Sequence, residues 1–264
     1  MTRRSPTIPL IVANWKMQLG ISDSHERLTE VKQRLKTVKG KYQAVVCPSF
    51  LALPEIKKIL RGSSIQLGAQ DVFWSDKGAF TGAVSPLSLQ EVGVEYVILG
   101  HSERRQLMGE TDEMVGRKVM SAMAHGIIPI ICVGETAHER NEGQHEIVVR
   151  RQVVESLRSM PPTVQQRIYI AYEPIWSIST NANAEPADPD DVQNMLMLIR
   201  QTMIERFSPE FVDQHVQVLY GGSVDEKNAS QYVSSDRFHG ALVGGASLIP
   251  EKFATLITNI TKHF

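Results

Sequence analysis

In Tyr96-Val97-Ile98-Leu99-Gly100-His101-Ser102-Glu103-Arg104-Arg105 an unbroken apolar run stops at a glycine and gives way to a cluster of polar and charged residues. A short run that is apolar throughout, with no alternation, marks a strand buried on both faces, as in a parallel sheet covered by helices. Seven further short β-rich runs follow or precede it, several of them apolar throughout: Ile8–Ala13, Ala44–Cys47, Ile65–Ala69, Ile128–Val133, Ile168–Ala171, Val216–Leu219 and Ala241–Val243. Between most of them the apolar residues take a helical period. Leu28, Val31, Leu35 and Val38 form one stripe, and Val192, Leu196, Ile199 and Met203 another. Asp23 or Ser24 is the expected cap of the first of these helices, and Asp190 or Asp191 that of the second. Eight strand-then-helix units in about 250 residues match a (β/α)₈ barrel. A doubly wound open sheet fits the same periodicity. No low-complexity segment divides the chain, so residues 1–264 read as one α/β domain, with residues 1–7 as a frayed tail.

Composition narrows the function. The 264 residues are 42% hydrophobic and 22% charged, with 28 basic against 29 acidic residues and a net charge of −1. That balance fits a soluble globular protein and argues against a nucleic-acid partner, which favours a basic face. No apolar stretch reaches the roughly 18 to 20 residues that cross a bilayer, so no membrane association is expected. The N-terminal run Ile8–Ala13 is too short for an export signal and ends in Asn14-Trp15-Lys16 without a small-residue cleavage site. Cys47 and Cys132 stand far apart with no metal-ligand spacing, which fits a reducing cytoplasm and neither a disulfide framework nor a metal site.

In a barrel of this type the chemistry collects where strands end. Here those ends carry Asn14-Trp15-Lys16, Gly100-His101-Ser102-Glu103, Gly134-Glu135, Tyr172-Glu173-Pro174, Tyr220-Gly221-Gly222-Ser223 and Gly244-Gly245-Ala246-Ser247. Either glycine pair alone reads as a tight turn. Both together, after the seventh and eighth strands, point to a phosphate held by backbone N–H groups. Lys16, His101 and Glu173 then converge beside that phosphate. A carboxylate abstracts a proton next to a carbonyl, a histidine polarises the carbonyl oxygen, and a lysine offsets the negative charge that develops. The set points to proton transfer without a cofactor, although each residue taken singly has a bland reading as a rim or structural group.

The pieces Asn14-Trp15-Lys16, YVILGHSERR (Tyr96–Arg105), CVGE (Cys132–Glu135), YEPIW (Tyr172–Trp176), YGGSV (Tyr220–Val224) and ALVGGASL (Ala241–Leu248) together resemble the triosephosphate isomerase family over nearly the whole chain. The resemblance implies a single-domain TIM barrel and a cytoplasmic homodimer of glycolysis and gluconeogenesis. Its activity would interconvert dihydroxyacetone phosphate and D-glyceraldehyde 3-phosphate. It implies that Glu173 is the base, His101 the electrophile and Lys16 the active-site cation. Asn14 would bond the substrate oxygen, and Ser179, Ser223, Gly244 and Gly245 would hold the phosphate. Ser102, Glu103, Cys132, Glu135 and Tyr220 would support the site. A lid would run through Pro174, Ile175, Trp176, Ser177, Ile178, Ser179, Thr180, Asn181, Ala182, Asn183 and Ala184, closing to keep water from the enediol phosphate.

Two stretches depart from the family pattern. The lid, read approximately as WAIGTGKTA in the family, has Ser179 and Asn181 in place of its glycines, with Glu185-Pro186-Ala187 lengthening its exit. That change keeps open an isomerase of a related ketose phosphate, such as a tetrulose phosphate. A Schiff-base aldolase built on Lys16 and a non-catalytic phosphate-binding barrel are the readings from other classes. In the loop Thr81-Gly82-Ala83, Ala83 stands where the family has a glutamate pairing with an arginine at the position of Arg104 across the dimer interface. Arg104 must therefore find another acceptor or stay hydrated. Thr81 occupies the position that reaches into the neighbouring subunit, so a homodimer is still expected.

Overall fold

The computed structural model describes residues 8–161, 164–178 and 186–264. Each apolar run forms a strand, with ends shifted by at most two residues: β1 (Leu10–Asn14), β2 (Gln43–Cys47), β3 (Ile65–Ala69), β4 (Tyr96–Leu99), β5 (Ile128–Val133), β6 (Ile168–Tyr172), β7 (Val216–Tyr220) and β8 (Gly240–Val243). All pair in parallel in chain order, and β8 returns to β1 to close the ring. Leu10 therefore faces Gln43 on one side and Gly240 on the other. The closure excludes the open doubly wound sheet.

The uninterrupted apolar runs follow from burial on both faces. In β1, Leu10 and Val12 join Val45, Ile98, Ile130 and Tyr169 in the interior of the barrel. Ile11 and Ala13 belong instead to the layer shared with the surrounding helices, with Leu28, Val31, Ile199 and Met203. Polar side chains are few before the strand ends: Gln43, Gln66 and Gln217 are half-buried in the opening residues of β2, β3 and β7. Among the described residues, no helix is long and apolar enough to cross a membrane.

Both expected helix caps are corrected. The first helix spans Ile21–Leu35, and its cap position is Gly20, which makes no side-chain cap bond. Ser24 donates its backbone N–H to the Gly20 carbonyl, so Asp23 lies inside the first turn and Ser24 is buried. Val38 falls beyond the helix end. The later helix spans Pro189–Arg206 and is capped by Asp188, whose carboxylate accepts the N–H groups of Asp190 and Asp191. Pro189, with its backbone torsion already helical, fits the first position and sets the start ahead of the two aspartates.

Candidate active site

The loops at the carboxyl ends of the strands enclose a cavity of about 370 Å³ lined by Asn14, Lys16, His101, Glu173, Gly221, Gly222, Ser223, Gly244 and Gly245, among others. Lys16 enters it from an unusual backbone: its φ is +50°, the one positive value at a non-glycine among the described residues. Two side chains hold this turn. Asn14 Oδ1 accepts the Lys16 N–H at 3.1 Å. Gln70, directly after β3, donates its amide to the carbonyls of Lys16 at 2.8 Å and Cys47 at 2.9 Å. The ammonium of Lys16 is paired with Glu103 Oε1 at 2.6 Å.

His101 caps the helix Ser102–Met108, its Nδ1 accepting the Glu103 N–H at 3.2 Å. An accepting Nδ1 carries no hydrogen, so the neutral ring is protonated at Nε2. That nitrogen lies 3.2 Å from Glu173 Oε1, without the alignment of a hydrogen bond. The other carboxylate oxygen, Oε2, accepts the Ser102 N–H at 3.0 Å. Glu173 is 2% exposed, so a proton acceptor with one unengaged oxygen is held in a dry pocket beside a histidine N–H. Gly221 makes room for its stem, since a Cβ there would lie 2.9 Å from Glu173 Cγ. Gln152 fixes the backbone on the other side, its amide bonding both the N–H and the carbonyl of Gly134 at 2.7 and 3.1 Å. Burial, and after it the charge of Glu173, holds the Cys132 thiol well above its usual range.

The pair Gly244-Gly245 leaves the cavity floor open, whereas Gly221 and Gly222 are packed against Glu173 and Tyr220. A Cβ on Gly245 would meet nothing within 4 Å, and one on Gly244 only Lys16 Cε at 3.7 Å. Ser223 Oγ is buried without a partner, and its carbonyl is fixed by Asn228 Nδ2 at 3.1 Å. Backbone N–H groups and a hydroxyl around an open pocket, with the Lys16 ammonium nearby, have the chemistry to hold a phosphate dianion.

The lid's first residues leave β6 through Pro174 and a tight turn at Ile175–Ser177, with Ile178 lining the cavity. Glu135, fully buried, anchors this root. It accepts Trp176 Nε1 at 2.8 Å and the Tyr172 hydroxyl at 3.1 Å, and Arg140 stacks over the Trp176 ring at 4.5 Å. Ser179, Thr180, Asn181, Ala182, Asn183 and Ala184 lie outside the described residues. On the exit side Ala187 is buried, and its carbonyl accepts the Tyr232 hydroxyl at 2.7 Å. Tyr220 stacks on Tyr232 at 4.2 Å, and burial pushes its phenol far above the usual range.

Thr81, Gly82 and Ala83 are exposed. Arg104 has found other acceptors: Asp71 Oδ2 at 2.8 Å and Glu110 Oε2 at 3.2 Å. Sequence reasoning missed Asp71, Glu110 and Lys118, together with Gln70 and Gln152. The end of β3, Gln70-Asp71, obeys the same strand-end rule as the others and was the available signal. Gln152 had none. Among the described residues, no three histidine, cysteine or carboxylate side chains are arranged to hold a metal ion.

A family model described as Triosephosphate isomerase matches residues 9–260. The chain is 44% identical over 249 residues to the triosephosphate isomerase of Thermoanaerobacter sp. (strain X514), covering 94% of this chain and 98% of that one. With that of Roseiflexus sp. (strain RS-1) it shares 43% identity over 249 residues, 94% and 96% of the two chains. The crystal structure of triosephosphate isomerase from Bartonella henselae matches with a TM-score of 0.82 at 35% identity, over 94% of this chain and 97% of that one. The chain belongs to the triosephosphate isomerase family.

Proposed function

We propose that this chain interconverts dihydroxyacetone phosphate and D-glyceraldehyde 3-phosphate, with Glu173 as base, His101 as electrophile and Lys16 as cation. The observation that carries these roles is the meeting of all three side chains on one cavity whose floor is the two glycine pairs. The glycines and Ser223 hold the phosphate and set the carbon chain toward Glu173. Its free oxygen takes a proton from the carbon next to the carbonyl, while the His101 Nε2–H donates to the carbonyl oxygen. An enediol results. Return of the carbon-bound proton to the neighbouring carbon, with loss of the hydroxyl proton there to His101, completes the isomerisation. Lys16 lowers the energy of the charge that builds on the oxygens. Closure of the lid over Ile178 and Pro186, which both line the cavity, excludes water during the enediol stage.

The protein is read as a homodimer in a reducing cytoplasm. Met17, Leu51, Phe80, Leu107 and Met108 are exposed apolar side chains on the segments that follow β1, β2, β3 and β4, four neighbours in the barrel. So many on one side favours a second copy covering them. Cys47 and Cys132 are free and buried, as suits a reducing compartment.

The test is steady-state turnover of D-glyceraldehyde 3-phosphate beside a tetrulose phosphate. The triose is the better substrate, and Glu173→Gln lowers kcat by about 10³-fold while leaving inorganic phosphate binding in place. Unchanged turnover in that variant overturns the base assignment.

A further inference from the structure

Four charged side chains close a ring behind the helix that carries His101. Asp71 Oδ2 lies 2.8 Å from Arg104 Nη2, and Asp71 Oδ1 lies 2.7 Å from Lys118 Nζ. Lys118 also bonds Glu110, whose other oxygen is 3.2 Å from Arg104 Nε. Each cation thus faces two carboxylates and each carboxylate two cations. The Lys118 and Glu110 side chains are 5% and 3% exposed, and that of Asp71 is 13%. Ion pairs so withdrawn from water hold their geometry, because any rotation leaves a charge without a partner.

The ring ties together the two halves of the active site. Asp71 is bonded in sequence to Gln70, whose amide fixes the strained turn of Lys16. Arg104 donates its backbone N–H to the His101 carbonyl at 2.8 Å, within the helix that His101 caps. A displacement at Asp71 is therefore felt by the cation on one side and by the electrophile on the other. Ala83 lines the same cavity, of about 280 Å³, as Asp71, Arg104 and Glu110, and offers no carboxylate there.

We propose that Asp71 is a positioning residue, which sets His101 against Lys16 from within one protomer and supplies to Arg104 the carboxylate that position 83 lacks. It touches no substrate and acts through Arg104 and Gln70. Replacing it by asparagine leaves two cations sharing Glu110 and opens the ring. A misplacement of about 1 Å costs roughly 10²-fold in rate. Lys16 stands beside Gly244, but the glycines and Ser223 follow β7 and β8, away from β3 and β4, so the loss falls on kcat more than on KM.

The experiment compares wild type, Asp71→Asn, Asp71→Glu and Asp71→Asn/Ala83→Glu by steady-state kinetics on D-glyceraldehyde 3-phosphate, with circular dichroism and sedimentation on each. Asp71→Asn lowers kcat at least tenfold with KM within twofold and with fold and mass unchanged. Ala83→Glu in the same chain brings kcat back to within threefold of wild type, because position 83 lines the cavity that Asp71, Arg104 and Glu110 share. Should Asp71→Asn not fold, Asp71→Glu decides: lowered kcat at unchanged KM supports the proposal, and unaltered kcat overturns it. A kcat for Asp71→Asn within twofold of wild type overturns it, as does a loss that Ala83→Glu fails to restore. The proposal rests on the isomerase reading, and the two fail differently: an inactive wild type removes both, whereas an active wild type with an equally active Asp71→Asn removes the proposal alone.

Discussion

Gly134 lies against the carbonyl of Glu173 so closely that a Cβ on it would sit 1.7 Å from that oxygen. The end of β5 and the base-bearing end of β6 thus meet backbone to backbone. Gly134→Ala must push the Glu173 backbone aside and draw its carboxylate away from the Ser102 N–H. We expect kcat to fall by about 10²-fold and stability by about 1–3 kcal/mol, read from steady-state kinetics and thermal melting of the same sample.

The same substitution at Gly245 has a different outcome. Its Cβ would enter open space, so the melting curve stays within about 0.5 kcal/mol of wild type. On the proposed placement of the phosphate the methyl group takes its space, so we expect KM for the triose phosphate to rise at least tenfold. Calorimetric titration with inorganic phosphate separates the two glycines: Gly134→Ala retains binding and Gly245→Ala loses it.

Glu135 serves Tyr172 and Trp176 as a buried acceptor, with Arg140 Nη1 at 3.5 Å. In Glu135→Gln one acceptor oxygen becomes an NH₂ that faces other donors, at a cost of about 1–3 kcal/mol. The root of the lid loosens, so the emission of Trp176 shifts to longer wavelength and KM rises. Unshifted emission in that variant refutes Glu135 as the anchor.

Burial raises the phenols of all six tyrosines, Tyr42, Tyr96, Tyr169, Tyr172, Tyr220 and Tyr232, above the ordinary value. It raises the thiols of Cys47 and Cys132 likewise. Above pH about 9 to 10 the unfolded chain therefore releases protons that the folded chain retains, and rising pH favours unfolding. We expect Tm to fall steadily from pH 8 to pH 11. Phenolate absorbance at 295 nm appears in one step with the loss of structure; a gradual rise in the folded protein contradicts this.

Sedimentation equilibrium at micromolar concentration is expected to give twice the protomer mass. Replacing the exposed Leu107 and Met108 by lysine shifts the mass toward one protomer. A single-protomer mass for wild type refutes the dimer.

The strands were legible because burial on both faces leaves little room for polar residues within each run, as Ile11 and Val12 show on opposite sides of β1. Lys16, His101 and Glu173 were legible for the same reason: they are the first reactive groups past that limit. Caps were less so, since Asp188, Asp190 and Asp191 offer the same chemistry and only the torsion of Pro189 chooses among them. Gln70 and Gln152 act across 54 and 18 residues through side-chain amides, and no local pattern announces such a contact. The alanine at position 83 was readable as a missing partner for Arg104. That Asp71 stands opposite it required the barrel to be closed.

The brace on Lys16 also makes its geometry a matter of tertiary structure. Its backbone takes a left-handed turn that the chain does not favour alone, and the amide that holds it belongs to Gln70, which grips β1 and β2 together by way of Lys16 and Cys47. Without β3 beside them, β1 and β2 would hold the lysine but not its aim. The direction of the cation is thus a property of three adjacent strands and not of the local sequence.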